Sequence, residues 1–403
     1  MIKSYKCRIC KKKGTVVIDL GYHPLANAIL KRKNHKEITY PLKIFRCKSC
    51  YTLQLTRSIN PKLLFDNYVW VTGTSKSTVK YLENFSKYLT HNFKLSKNSK
   101  ILEVASNDGT LIKILNRKYK NTFGVEPAKN LANLANKKGL NTLNYFFNFE
   151  NSLKIKNKIG SKVDLIICRN VIPHIKNLHS VFKSFKYLLN DDGKIIIEFH
   201  YAKKILENLQ FDYIYHEHTY YFTLKTISNL ARIYGLYPNQ VKKSKISGGS
   251  LILTLSFKKT KSSYLKKMEK KEIKDRTNSN AIIKKFNKKL KIFRKDFIEL
   301  IKNSKYKYAG FGSSARSNTL INYIKLKDKE INCIFDNNQM KHDMYAPGSK
   351  IKIVKPTKDK IKNYKGIVVF AWNFYEEIKK ELKLLGFKGK LIKTLPKIKI
   401  SNL

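Results

Sequence analysis

The sequence predicts an α/β chain: a Rossmann-like doubly wound sheet with a zinc-binding module ahead of it and a second Rossmann-like α/β unit behind it. Three observations predict this. Two Cys-x-x-Cys pairs stand near the start, short β-type runs alternate with helical patterns across the middle, and a second strand, glycine turn and helix open near residue 306. At about 100 to 200 residues per domain, the 403 residues divide into 1–95, 96–260 and 261–403.

The first unit follows from its cysteines. Cys7-Arg-Ile-Cys10 and Cys47-Lys-Ser-Cys50 place two thiolates on each of two tight turns, the spacing that offers four sulfurs to one tetrahedral zinc. Four sulfur ligands leave no open position, so the zinc is structural, contributing on the order of 10 kcal/mol to the folding of a module with little core of its own. Cys168 and Cys333 lie in apolar runs and read as core residues. Residues 51–93 read as mostly helical around the aromatic patch FDNYVWVTGTS, and 94–100 as a polar linker.

The middle unit begins at KILEVASNDGTLIKIL, a β-type segment at 101–104, a turn containing Asn107, Asp108 and Gly109, and an amphipathic helix. A second strand ends at Glu126-Pro127, and VDLIIC (163–168) and KIIIEFH (194–200) supply two more, the last after a turn at Asp191, Asp192 and Gly193. Residues 262–305 are rich in charge and helix formers and read as one long connecting helix. The third unit then opens with YKYAGFGSSARSNTLINYI and continues through INCIFDNN and IVVFAWN.

Ligands of doubly wound sheets bind where the first strand ends. Here that point carries Glu103, Ala105, Asn107 and Gly109. One glycine supports a pyrophosphate site weakly. The turn suits S-adenosylmethionine better, because that ligand has no phosphate and needs a carboxylate near its cationic end with small residues alongside. Glu126, ending the second strand, is placed to accept from ribose hydroxyls, as an acid at that distance does for any nucleoside cofactor. Asn170 lies just past a later strand end and is a further cofactor contact.

The net charge of +55 raises nucleic-acid binding as a reading. The charge is mostly lysine and is spread over every segment, whereas a nucleic-acid face concentrates it. General attraction to polyanions is the expected consequence. No stretch approaches the roughly 20 apolar residues that span a bilayer, and MIKSYKCRICKKKG lacks the apolar segment of a signal peptide. The expected location is the cytoplasm.

The stretch FDYIYHEHTYYF (211–222) concentrates titratable side chains among aromatics. From its residues alone it is a metal site, a proton-transfer site or the end of a buried strand. A metal held by His216 and His218 would need a third ligand, and none stands nearby in sequence.

Nine motifs occur in one order along the chain: the two Cys pairs with HPLAN (23–27) between them, EVASNDG (103–109), GVEP (124–127), RNVIPHI (169–175), YHEHTYYF (215–222), GGS (248–250), GFGSSARSNTLINY (310–323) and FAWN (370–373). Together they resemble the zinc-containing, S-adenosylmethionine-dependent sugar C-methyltransferases of deoxysugar biosynthesis. The resemblance implies a class I methyltransferase domain and a nucleotide-linked 4-keto-deoxysugar as substrate. It also implies that His218 is the catalytic base, Glu217 its neighbouring acid, and Tyr215 and Tyr68 active-site tyrosines. Ser247-Gly-Gly-Ser250 stands where many members have His-Gly-Gly-Ser, Trp70 where a second tyrosine is frequent, and Arg316 where lysine is frequent. The turn holding Gly310 and Gly312, with Arg316, is a suggested diphosphate site. An O-methyltransferase, and a zinc-containing nucleic-acid-binding protein with a degenerate methyltransferase domain, remain the alternative readings.

Overall fold

The computed structural model describes residues 4–60, 63–64, 71–244, 246–304 and 306–403. Tyr68 and Trp70 lie outside these residues, as does the side chain of Ser247.

The N-terminal sheet is antiparallel: β1 (Ser4–Lys6), β2 (Lys13–His23), β3 (Tyr40–Cys47) and β4 (Leu53–Leu55) pair in sequence order. One Cys pair falls between β1 and β2 and the other spans the end of β3. Each is followed by a residue at positive φ, Lys11 and Tyr51, both at 62°. The two turns therefore close with the same backbone bend, and all four thiols face one point between them. Of the helix expected over 51–93, the described residues show an α-helix at Lys76–Asn92, a 3-10 turn at Thr72–Thr74 and helical backbone at 63–64. Leu53 and Leu55 have the two-residue period of a strand, and the free edge of β3 captures them.

A fifth strand comes from far along the chain. In β10 (Tyr220–Tyr221), Tyr220 pairs with Gln54 and Tyr221 with Leu53 of β4. The last residues of YHEHTYYF thus belong to the zinc-module sheet.

The central sheet has seven strands: β5 (Lys100–Val104), β6 (Asn121–Val125), β7 (Thr142–Leu143), β8 (Val163–Arg169), β9 (Leu189–His200), β11 (Tyr237–Ser244) and β12 (Ser250–Ser256). Their spatial order is β11-β12-β9-β8-β5-β6-β7. Strands β5 to β9 run parallel, while β12 is antiparallel to both neighbours. The strand order reverses at β5, which opens a crevice at the carboxyl ends of β5 and β8. The turn expected at Asp191–Gly193 is absorbed into β9. Leu189 opposes Val163 and Lys194 opposes Leu165, so the intervening residues bulge from the ladder.

The expected connecting helix is two helices, Ser263–Lys274 and Asn280–Lys302. The break coincides with Arg276 at φ 47° and is fastened to the zinc module by Arg46, which donates to Asn280 Oδ1 at 2.8 Å and to the Asn278 carbonyl. The second helix buries Phe286 and Phe297 completely, each worth about 2 kcal/mol of transfer free energy. They join Ile18, Leu20, Leu42 and Ile44 of the zinc-module sheet in one apolar cluster. The last sheet has the order β15 (Lys352–Val354), β14 (Ile331–Phe335), β13 (Tyr308–Phe311), β16 (Gly366–Val369), β17 (Lys390–Lys393) and β18 (Lys399–Asn402), with only β18 antiparallel. Among the described residues, no helix is long and apolar enough to cross a membrane.

Candidate functional site

The crevice at the end of β5 is built from strained turns and buried acids. Ala105 (φ 52°), Asn107 (φ 55°) and Gly109 (φ 76°) all have left-handed backbone, which folds the chain back sharply and exposes main-chain edges. Gly109 is required there, since a Cβ would lie 2.5 Å from Leu140 Cδ1. Glu103 is buried, and its Oε2 has no hydrogen-bond partner. Burial pushes its carboxyl up to about 8 against the opposing influence of Arg169. Glu126 ties the crevice together: its Oε2 accepts from Asn107 N at 2.8 Å and its Oε1 from Ala128 N at 2.9 Å. Asn170, at φ 54°, donates its backbone N–H to the Glu198 carbonyl, and its side-chain Oδ1 is buried and unpaired. Unpaired acceptors on Glu103 and Asn170 fit a ligand with a cationic amine and an adenine, so these residues suit S-adenosylmethionine.

FDYIYHEHTYYF folds as a 3-10 turn (Phe211–Tyr213), a tight loop and then β10. The loop sends alternate side chains in different directions. His218 is buried beside the crevice, with ring centroids 4.7 Å from His174, 4.1 Å from Tyr215 and 5.8 Å from His200. Its Nδ1 lies 2.8 Å from the Tyr213 carbonyl. A carbonyl can only accept, so Nδ1 carries the proton and Nε2 keeps the lone pair of a base. Burial holds the His218 imidazole well below its ordinary value, with the neighbouring imidazoles and Arg316 acting in the same direction. It is therefore neutral near pH 7. His216 points elsewhere, meeting the Tyr40 ring edge-on at 5.8 Å. Among the described residues, only the four cysteines form a cluster suited to a metal.

Glu217 faces the zinc module. Asn27 of HPLAN donates to Glu217 Oε1 at 2.5 Å, and burial raises the carboxyl to about 7. The Ala26 carbonyl accepts from Asn318 Nδ2 at 2.8 Å, which fixes the same loop to the third unit. From that unit, Arg316 donates to Asp212 Oδ2 through Nε at 2.8 Å, and its guanidinium lies 3.8 Å from the Tyr213 ring centroid. Trp372 of FAWN donates its indole N–H to the same oxygen at 2.9 Å. All three units thus converge on the His218 loop. The sequence reading missed Asn27, Asp212 and Trp372, although HPLAN and FAWN carried the signal as motifs without an assigned task.

The glycine turn of the third unit is not shaped for a diphosphate. A Cβ on Gly310 would strike the Phe370 ring, and one on Gly312 would lie 2.5 Å from Ala371 Cβ, so both glycines admit the FAWN segment. The Ser313 N–H is taken by Asp336 Oδ2 at 2.7 Å, and this carboxylate would repel a bound anion. Arg316 is turned toward Asp212 instead.

The cysteine geometry fits zinc. The four sulfurs lie within 4.8 Å of one another, with Cys7 to Cys50 at 3.6 Å and Cys10 to Cys47 at 3.4 Å. The edge of a tetrahedron with Zn–S bonds of about 2.3 Å is near these separations. Gln54 Nε2 and the Ile9 N–H both donate to Cys7 Sγ, at 2.9 and 3.3 Å, as outer partners of a thiolate ligand do.

The strand order and the acid-lined crevice define a class I, S-adenosylmethionine-dependent methyltransferase. The chain belongs to the zinc-containing C-methyltransferase family. Family models described as "Putative zinc binding domain", "Methyltransferase domain" and "C-methyltransferase C-terminal domain" match residues 7–65, 79–241 and 245–396. The chain is 26% identical to the C-methyltransferase NovU of Streptomyces niveus over 98% of its own length and 96% of that protein. Among solved structures it is similar to the magnesium protoporphyrin IX methyltransferase ChlM of Synechocystis PCC 6803 with bound SAM. That match is 13% identical, with 44% of this chain and 78% of that one covered and a TM-score of 0.33. A S-adenosylmethionine-dependent methyltransferase from Clostridium acetobutylicum ATCC 824 is 18% identical, with 44% and 91% covered and a TM-score of 0.35.

Proposed function

We propose that this C-methyltransferase acts on a nucleoside-diphosphate 4-keto-deoxysugar and alkylates the carbon next to the ketone through an enolate. The observation that carries the reading is the fixed tautomer of His218: Nδ1–H is bound to the Tyr213 carbonyl, and a neutral Nε2 is left as base. Carbon alkylation needs such a base, because a sugar carbon becomes nucleophilic only by losing a proton next to a carbonyl. Bound S-adenosylmethionine supplies the electrophilic methyl group. Glu103, Ala105, Asn107, Gly109, Glu126 and Asn170 are the residues that would hold it, with Glu103 toward the cationic end and Glu126 toward the ribose.

His218 Nε2 takes the proton, Tyr215 packs against the base at 4.1 Å and sets the edge of the sugar pocket, and Tyr68 steadies the ring. Glu217, held by Asn27, keeps the loop in register with the zinc module. Zinc orders this module through Cys7, Cys10, Cys47 and Cys50 and takes no part in the chemistry. Among the described residues, the groups acting on His218 are His174, His200, Arg316 and the Tyr213 carbonyl, none of them a carboxylate. The charge formed on proton transfer is instead met by the enolate itself, so the site favours the reacting state over the resting one.

The test is incubation of the zinc-loaded protein with nucleotide-linked 4-keto-6-deoxysugars in deuterated water, with and without S-adenosylmethionine. Deuterium uptake next to the ketone and a methyl gain at the same carbon are expected. A methyl gain at oxygen with no deuterium uptake would replace this reading with O-methylation.

A further inference from the structure

His200, the last residue of β9, stands at the crevice with a role the base does not fill. Its ring lies against Tyr213, with centroids 4.0 Å apart, and 5.8 Å from His218. Its Nε2 is buried and has no hydrogen-bond partner. Leaving a buried polar nitrogen unpaired is costly, a cost that a ligand atom at this position would remove. We propose that His200 supplies, as a neutral imidazole N–H, the hydrogen bond that holds the enolate oxygen while His218 removes the proton.

The surroundings favour that form of the ring. Burial disfavours protonation of His200, and Arg316 and His174 act in the same direction. On its other sides stand the Tyr213 ring and the neutral His218. A neutral imidazole donor is better matched to an enolate than an imidazolium, which would protonate the oxygen and discharge the nucleophile. The step balances within the site. The C–H pair becomes the carbon–carbon π bond, the carbonyl π pair moves to oxygen, the proton goes to His218 Nε2, and the His200 N–H proton stays on nitrogen.

The inference rests on the enolate reading above, and its test separates the two. His200→Phe keeps a flat ring against Tyr213 and removes the donor. His200→Gln returns an amide N–H. Deuterium uptake into the keto-sugar is measured without S-adenosylmethionine, and affinity for S-adenosylmethionine is measured by calorimetry on the same zinc-loaded samples. The expected result is an exchange rate lower by on the order of 10²–10³ in His200→Phe, recovery by about tenfold in His200→Gln, and unaltered cofactor affinity in both. Wild-type exchange together with His200→Phe exchange within about threefold of it would overturn this proposal alone. Absence of exchange in the wild type would overturn the enolate reading and this proposal with it. Loss of cofactor binding in both variants would make His200 structural and also overturn it.

Discussion

Asn27 and Glu217, 190 residues apart in sequence, meet at 2.5 Å across the boundary between the zinc module and the His218 loop. Glu217 has been taken out of water with this amide as a side-chain partner, and burial lifts its carboxyl to about 7. An acid raised in the fold favours the folded state when protonated. That contribution is complete below about pH 4.5 and is lost as the pH rises through 7. Glu217→Gln, neutral throughout, should therefore be steadier than the wild type by about 3 kcal/mol more at pH 8 than at pH 4.5. Urea unfolding at both values measures the difference, and a gap independent of pH would show that Glu217 ionises freely.

Asp212 binds both Arg316 and Trp372 through one oxygen while almost wholly buried. Removing its charge strands a guanidinium in the interior, so Asp212→Asn should cost about 3 to 5 kcal/mol. Adding Arg316→Met removes the stranded charge, and the double variant should regain a large part of the loss. If the two effects simply add in denaturant unfolding, the ion pair is not the link between the loop and the third unit.

The parts of this arrangement legible in sequence are those encoded locally. Cysteine spacing gave the metal cluster, and the strand-turn-helix at 101–115 gave the crevice with Glu103 and Gly109, because both depend on neighbours a few residues away. The HEH stretch could be singled out but not oriented. Whether His216 or His218 faces the crevice depends on β10 pairing with β4, a contact between residues more than 160 apart. Local composition also misled at 262–305, where abundant helix formers outweighed the short run Thr277-Asn278-Ser279-Asn280 at which the helix breaks. A tertiary tie from Arg46 then holds the break against the zinc module. The role of GFGSSAR was misread for a similar reason: its glycines are needed for Phe370 and Ala371, which no local pattern reveals.

Since β10 joins the zinc-module sheet, the metal should control catalysis without touching substrate. Chelation of the protein, or Cys47→Ala, should remove methyl transfer almost completely. Amide exchange should rise at residues 219–222, whose hydrogen bonds include Thr219 O accepting from Leu55 N at 2.9 Å. Zinc added back to the chelated wild type should restore both. Full activity in metal-free protein would detach the His218 loop from the module.

Glu103 gives the cofactor crevice a signature that does not depend on turnover. Its carboxyl, pushed up to about 8 by burial, is mostly protonated at pH 7. A cationic ligand bound beside it favours the carboxylate, so binding must expel a proton, and affinity must grow as the pH rises toward 8. Titration of S-adenosylmethionine at pH 7 in two buffers of different ionisation enthalpy should report release approaching one proton. In Glu103→Gln the release should vanish and affinity should fall by about 10- to 100-fold, the equivalent of a lost charged hydrogen bond of about 1.5 to 3 kcal/mol. Glu126→Gln should weaken binding too but leave the proton release in place, because Glu126 already has two backbone N–H partners and faces the ribose in this reading. If proton release persisted in Glu103→Gln and disappeared in Glu126→Gln, the two acids would have to exchange roles.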